Sequence, residues 1–372
     1  MKFLIVTHAV HKANKDSIYA YEPYIREMNL WLKYVDEVAI LAPFSNEPIS
    51  KIESNYSFEK VLLKPIKKFD VLSIYNIFKT IFKIPFICFK IFSGMVWADH
   101  IHLRCPGNIG LLGCLVQILF PSKPKTVKYA GNWDPNSKQP LSYRLQKMVL
   151  SNTFLTRNCK VLVYGKWKNQ SKNIIPFFTA SYRKGEIEKL PEKKLNDTIR
   201  FIFVGAFSEG KQPFLTVNTI EELAKKGLCV TLDMYGNGAL FEEVKSYVKN
   251  KSLSNCIFLH GNQPKEIVKK AFQKAHFLIF ISKSEGWPKV IAEAMFWGCL
   301  PIASQVSCIP YMLGEGERGI LVKSNTTAKD ISKLILEMIQ HKNHYKNKVN
   351  HAKNWSQQFT LDSFEEAIKI CV

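Results

Sequence analysis

Two carboxylates eight residues apart, Glu285 and Glu293, bracket the stretch EGWPKVIAEAMFWG, whose residue types suit phosphate and hydroxyl recognition. Pro288 fits the first turn of a helix, where its missing N–H costs nothing, and Gly298 fits a helix end, so 288–297 reads as a short helix following a strand. The unpaired N–H groups of Gly286, Trp287 and their neighbours, with the helix dipole behind them, favour an anion there. A carboxylate beside a phosphate repels it, so Glu285 and Glu293 must serve by accepting hydrogen bonds from hydroxyls. A nucleotide sugar carries hydroxyls on both sides of its diphosphate. Simpler roles stay open: Glu285 can complement the helix N-terminus, and Glu293 can pair with Lys289 at i, i+4 on a solvated face.

The elements that must position these residues are legible as short apolar, β-branched runs alternating with helix-like stretches, the pattern of βαβ units and parallel sheets. In the first half the strand candidates are 3–7, 37–42, 99–103, 126–130 and 160–164. In the second they are 200–205, 229–235, 256–260, 276–281, 299–303 and 319–322. A chain of 372 residues exceeds one ordinary core. Two Rossmann-like, doubly wound α/β domains facing a cleft are therefore expected, at 1–185 and 186–354. A terminal helix at about 355–372 is assigned to pack back on the first. Residues 181–199, polar, charged and short of aromatics after the first few, read as the interdomain linker.

Bulk composition narrows the class. With 47% apolar and 22% charged residues the chain is globular, with no disordered tract. Nine scattered cysteines, never spaced C-x-x-C, indicate neither a disulfide framework nor a zinc site and point to a reducing, cytoplasmic setting. The start, MKFLIVTHAV, has too short an apolar run for a signal peptide and reads as a buried strand. Net charge is +21. Residues 1–180 carry 25 Lys and Arg against 11 Asp and Glu, a balance of +14. Such a field suits nucleic acid, acidic lipid or a phosphorylated acceptor. Neither zinc-finger spacing nor an RNP-like aromatic motif is present, so no nucleic-acid partner is expected.

The run Glu285 to Gly298 resembles the E-x7-E signature of the retaining group 1 (family 4) glycosyltransferases, which have the GT-B fold. The resemblance implies that Glu285 contacts the donor sugar and Glu293 the nucleotide ribose, with Gly286, Trp287, Pro288 and Lys289 around the phosphates. It continues through FIFVGAFSEGKQPFLTVNTIEEL (201–223), similar to the family's diphosphate-gripping strand, loop and helix. It includes LDMYGNG (232–238) and FLHGN (258–262), which add Gly205, Gly236 and Asn262 to the donor side. Lys211 falls where the family has its phosphate lysine. Where many members place an Arg after the Gly, this chain has Ala206, leaving Lys211 and helix amides, with help from Lys289, to neutralise the diphosphate. The resemblance implies transfer from a nucleotide diphosphate sugar with retention, without metal or cofactor, in bacterial cell-surface polysaccharide synthesis such as capsule, exopolysaccharide or lipopolysaccharide.

The N-terminal half matches more loosely. Two loops after strand candidates carry Arg104 and Asn108, and Asn132 and Asp134, which are expected on the acceptor side. Asp134 can orient or deprotonate the acceptor hydroxyl, or the NWDPN run is only a turn. THAVHKANKDS replaces the family's Gly-rich turn, and His8 or His11 can approach the cleft there. Segment 61–97 sets Lys79, Lys83 and Lys90 on one side of a predicted helix, and the charges break up any membrane span. It is either a packed helix with a basic stripe or a surface holding the enzyme on the anionic inner face of the cytoplasmic membrane, near a lipid-linked or saccharide acceptor. An epimerase or phosphorylase of the same architecture, and a non-enzymatic basic binding protein, are the competing classes.

Overall fold

The computed structural model describes residues 1–15, 17–50, 52–66, 83–195 and 198–372. They form two compact units, Met1–Phe177 with Phe364–Val372, and Phe178–Ser363.

The first unit is built on a seven-stranded sheet. Its strands are β1 (Lys2–Val6), β4 (Glu37–Pro43), β6 (Val61–Ile66), β7 (His100–Cys105), β8 (Lys125–Tyr129), β9 (Cys159–Tyr164) and β10 (Ile174–Phe177). They lie in the order β10-β9-β8-β7-β1-β4-β6 and every pairing is parallel. Phe3, Leu4, Ile5 and Val6 are wholly buried, as a parallel strand covered on both faces requires. Beside this sheet, β2 (Lys12–Asn14), β3 (Ser17–Tyr21) and β5 (Glu53–Asn55) make a small antiparallel one. Helices α1 (Glu22–Trp31), α2 (Ile84–Trp97), α3 (Asn108–Val116) and α4 (Leu141–Ser151) complete it.

In the seven-stranded sheet the strands missed by pattern reading are the edges. Both β6 and β10 contain a proline, Pro65 and Pro176, which an edge strand tolerates because one side of its backbone makes no ladder bonds. Residues 61–66 are thus a strand, and a helix spans Ile84–Trp97; Lys79 lies outside the described residues. Helix α2 buries Ile87, Ile91, Gly94 and Met95. Phe86, Phe89 and Val96, at 59%, 67% and 55% exposure, stand outward with Lys90, so the outer face is more apolar than a basic stripe.

The second unit has six parallel strands, β11 (Ile199–Val204), β12 (Val230–Tyr235), β13 (Ile257–Gly261), β14 (Phe277–Phe280), β15 (Leu300–Ser304) and β16 (Ile320–Val322). Their order is β13-β12-β11-β14-β15-β16. The helices around it are α5 (Pro213–Lys225), α6 (Phe241–Asn250), α7 (Lys265–Lys274), α8 (Lys289–Phe296), α9 (Ala328–Gln340) and α10 (Lys342–Ser356). A last helix, α11 (Leu361–Lys369), leads into the first unit's C-terminal segment. Pro288 is the N-cap of α8, one residue before its expected place, and Gly298, with φ of 65°, ends the helix in the left-handed region. Within the stretch 181–195, Tyr182 and Leu195 are buried and Lys193 turns inward.

Candidate active site

In an open α/β sheet, ligands bind beyond the C-terminal strand ends where the strand order reverses, which in the second unit is between β11 and β14. The loops after these strands carry Lys211 and Glu285, and the two side chains form an ion pair. The Lys211 ammonium also lies over the Phe280 ring, 4.6 Å from its centroid. Glu285 is 10% exposed and Lys211 24%, so the pair opens to solvent on one side while packed on the other.

Neighbouring loops are fastened to this pair by backbone. The Lys283 N–H donates to the Gly210 carbonyl at 3.0 Å, and the Glu285 N–H to Ser307 Oγ at 3.1 Å, tying the loops after β11, β14 and β15 together. On the other side the Gly205 N–H donates to the Tyr235 carbonyl and the Gly236 N–H to the Gly261 carbonyl, at 3.0 and 2.8 Å. Gly236 has φ of 126°, and a Cβ there would sit 1.9 Å from the Gly205 oxygen, so only glycine permits this approach. Asn262 follows as an exposed residue.

Helix α8 begins directly after Gly286, Trp287 and Pro288, with no side chain capping its first turn, and the Ile291 N–H donates to the Pro288 carbonyl at 3.0 Å. The Trp287 side chain does not face this mouth. It is buried against Trp355 and Phe359, at 6.2 and 5.7 Å between centroids, so the residue offers only backbone to a ligand. Lys289 is half-buried at the start of α8. Glu293, one turn on, accepts a hydrogen bond from the Ser181 hydroxyl, a partner no local sequence pattern advertises.

The first unit has a cavity of about 590 Å³ beyond β1 and β7, where its own strand order reverses. Thr7, His8, Tyr24, Arg104, Pro106 and Tyr143 are among its walls. Arg104 donates to Glu27 at 2.7 Å and lies over the Tyr24 ring. Burial opposes its charge, but Glu27 together with Tyr164 and Tyr24 outweighs burial and raises its pKa. His8 is kept neutral by burial and by Arg104. His11 is structural instead: its Nδ1 donates to the Ala9 carbonyl, its Nε2 accepts from Tyr56, and burial lowers its pKa to about 4.

Asn108 opens α3 and is not among the cavity walls. Asn132 and Asp134 are spent on a local turn: Asn132 Oδ1 accepts from the Asp134 N–H and Asp134 Oδ1 from the Asn136 N–H, at 2.9 and 2.8 Å. That geometry leaves the NWDPN run as a turn and gives Asp134 no place in the cavity.

Two doubly wound units, the second with a lysine–glutamate pair and a helix start at its switch point, make the GT-B fold. Residues 186–355, a little under half of the chain, match the model of the family "Glycosyl transferases group 1". An uncharacterized glycosyltransferase of Methanocaldococcus jannaschii is 27% identical over 161 residues, 43% of this chain and 44% of that one. The lipopolysaccharide 1,6-galactosyltransferase of Escherichia coli K12 is 28% identical over 112 residues, 29% of this chain and 31% of that one. The chain thus spans less than half the length of these curated relatives. In fold, the Anabaena HepE structure solved with UDP and glucose superposes with a TM-score of 0.66 at 14% identity, covering 100% of this chain and 98% of the other.

Proposed function

We propose that this protein transfers a glycosyl group from a nucleoside diphosphate sugar to an acceptor hydroxyl, with retention, in the synthesis of a cell-surface polysaccharide or lipopolysaccharide. The observation that carries this reading is the meeting of Lys211 and Glu285 at the β11/β14 switch point beside the α8 N-terminus. One N–H of the ammonium is engaged by Glu285 and two remain for phosphate oxygens. The α8 amides add fixed positive dipoles where charge develops on the departing diphosphate. Glu285, with acceptor capacity to spare, takes donor-sugar hydroxyls, and Glu293 takes the ribose. These cationic and amide donors supply the leaving-group stabilisation, so no metal is assigned a step. No side chain is assigned as a nucleophile, and retention follows from displacement on the face the leaving group departs from.

The acceptor is assigned to the first unit's cavity, with Arg104 and His8 in its wall. The relative that acts on lipopolysaccharide supports a saccharide acceptor, and a lipid-linked one fits the exposed Phe86 and Phe89 of α2, which suit a membrane surface. No helix among the described residues is long and apolar enough to cross a membrane, so attachment to the anionic inner face is assigned to this patch and to charge. The test is stoichiometric. Free nucleoside diphosphate should be released in proportion to acceptor glycosylated, with the anomeric configuration kept and the rate unchanged by EDTA. Release without acceptor consumption, or a saturable requirement for Mn²⁺, sinks the proposal.

A further inference from the structure

Lys193 lies in the PEKK run between the two sheets and looks, in sequence, like any of the chain's 52 basic residues. Its ammonium nonetheless meets four backbone carbonyls, those of Phe272 and Ala275 at 2.8 and 2.7 Å and those of Trp297 and Gly298 at 2.9 and 3.0 Å. The first two belong to the end of α7 and the last two to the end of α8. Helix C-termini leave carbonyls without partners and carry partial negative charge, so one buried cation satisfies two converging ends at once.

The consequence falls on α8, which has only eight residues and is too short to be fixed by its own hydrogen bonds. Its far end is held by Lys193 and by Gln357, whose side-chain amide donates to the Phe296 carbonyl at 3.1 Å. Its near end supplies the uncapped amides of the candidate site, and Glu293 projects from its middle. At ~1.5 Å per residue the whole lever is about 12 Å long, so a shift at one end is transmitted to the other.

We infer that Lys193 is a positioning residue of the donor site: by clamping the C-termini of α7 and α8 it holds the α8 N-terminal amides and Glu293 where a nucleoside diphosphate needs them. This rests on the donor reading given above. Burial is tolerated because the four carbonyls surround the charge, while the Cys299 thiol and the Lys353 ammonium are the other titratable groups acting on it.

The experiment replaces Lys193 by Met, which keeps the stem and removes the donors, and by Arg, which keeps the charge. UDP, GDP and ADP affinities are measured well below each variant's melting temperature, with hydrogen exchange followed at the amides of 293–296, which bond within α8, and, as control, of α5. Lys193→Met should bind the wild-type ligand roughly tenfold more weakly and exchange faster at α8 and the end of α7 but not at α5, and Lys193→Arg should recover part of both. A folded Lys193→Met protein with wild-type affinity and wild-type α8 exchange overturns the inference. If wild-type protein binds none of the three nucleotides the donor reading fails, while the exchange difference still decides the clamp. Should Lys193→Met not fold, Lys193→Gln is measured by the same two readouts and judged by the same outcomes.

Discussion

Lys211 and Glu285 are separated by 74 positions in sequence yet form an ion pair where the strand order of the second unit reverses. Each partner has spare hydrogen-bonding capacity, two further N–H donors on the ammonium and remaining lone pairs on the carboxylate. If they hold opposite ends of one donor, Lys211→Ala and Glu285→Ala should each lower kcat/KM by about 2–4 kcal/mol of transition-state stabilisation. The double variant should lose less than the sum, because the second removal acts on a group already unpaired. Strict additivity in a double-mutant cycle would mean that the two residues serve unrelated tasks.

Gly236 makes a separate claim on the same site. A methyl group placed 1.9 Å from the Gly205 carbonyl oxygen cannot be accommodated without moving the loops after β11 and β12 apart. Gly236→Ala should therefore destabilise the second unit by about 1–3 kcal/mol, from the strained φ and the clash together. It should also weaken nucleoside diphosphate binding in the protein that still folds. Calorimetry with and without UDP separates the two effects, and unchanged affinity would remove the 205–236 contact from the site.

Buried histidines set the acid limit of the first unit. His100 and His102 share the Thr126 hydroxyl at 3.0 and 2.9 Å, and burial lowers their pKa values to about 4 and about 3, as it lowers that of His11 to about 4. The folded state thus holds all three neutral, while the unfolded chain takes up protons near pH 6.5. Their contribution is fully present above that pH and is lost as pH falls from about 6.5 toward about 4, at up to ~1.4 kcal/mol per pH unit for each histidine. Urea midpoints between pH 7 and pH 4.5 should fall steeply, and His102→Phe should flatten the slope. An equal slope in that variant would show that His102 is not among the groups responsible.

How much of this was legible in the sequence follows from where partners lie along the chain. Central strands such as Phe3–Val6 and Phe277–Phe280 announce themselves because burial on both faces makes them continuously apolar. The edges β6 and β10 carry proline, and the three-residue strands of the small sheet have no period to detect. The candidate site of the second unit is readable because Glu285 to Gly298 is one contiguous loop and helix. The first unit's cavity is not, since Thr7, Tyr24, Arg104 and Tyr143 come from four separate segments. Glu27 is the sharpest case: on the charged-looking helix EPYIREMNLW it is nearly wholly buried, because Arg104 waits behind it. Ser181 and Lys193 were likewise hidden, as ordinary polar residues whose importance is set only by what folds over them.

Helix α2 supplies the last prediction, which concerns where the protein works. Its outward Phe86 and Phe89, exposed at 59% and 67%, flank Lys90, whose ammonium lies 5.0 Å from the Phe86 centroid and donates to the Pro65 carbonyl. Aromatic rings around a cation suit the boundary of an anionic bilayer, where rings enter the headgroup layer and each nearby lysine adds ~1 kcal/mol of attraction. Wild-type protein should bind vesicles containing acidic lipid at low ionic strength and leave them in high salt. Phe86→Ser with Phe89→Ser should reduce the binding that survives moderate salt, whereas Lys83→Gln with Lys90→Gln should reduce the salt-sensitive part. Donor hydrolysis should be spared in both, because neither pair touches the Lys211–Glu285 site. Equal binding by all three proteins would assign the +14 balance of residues 1–180 to a soluble anionic acceptor instead.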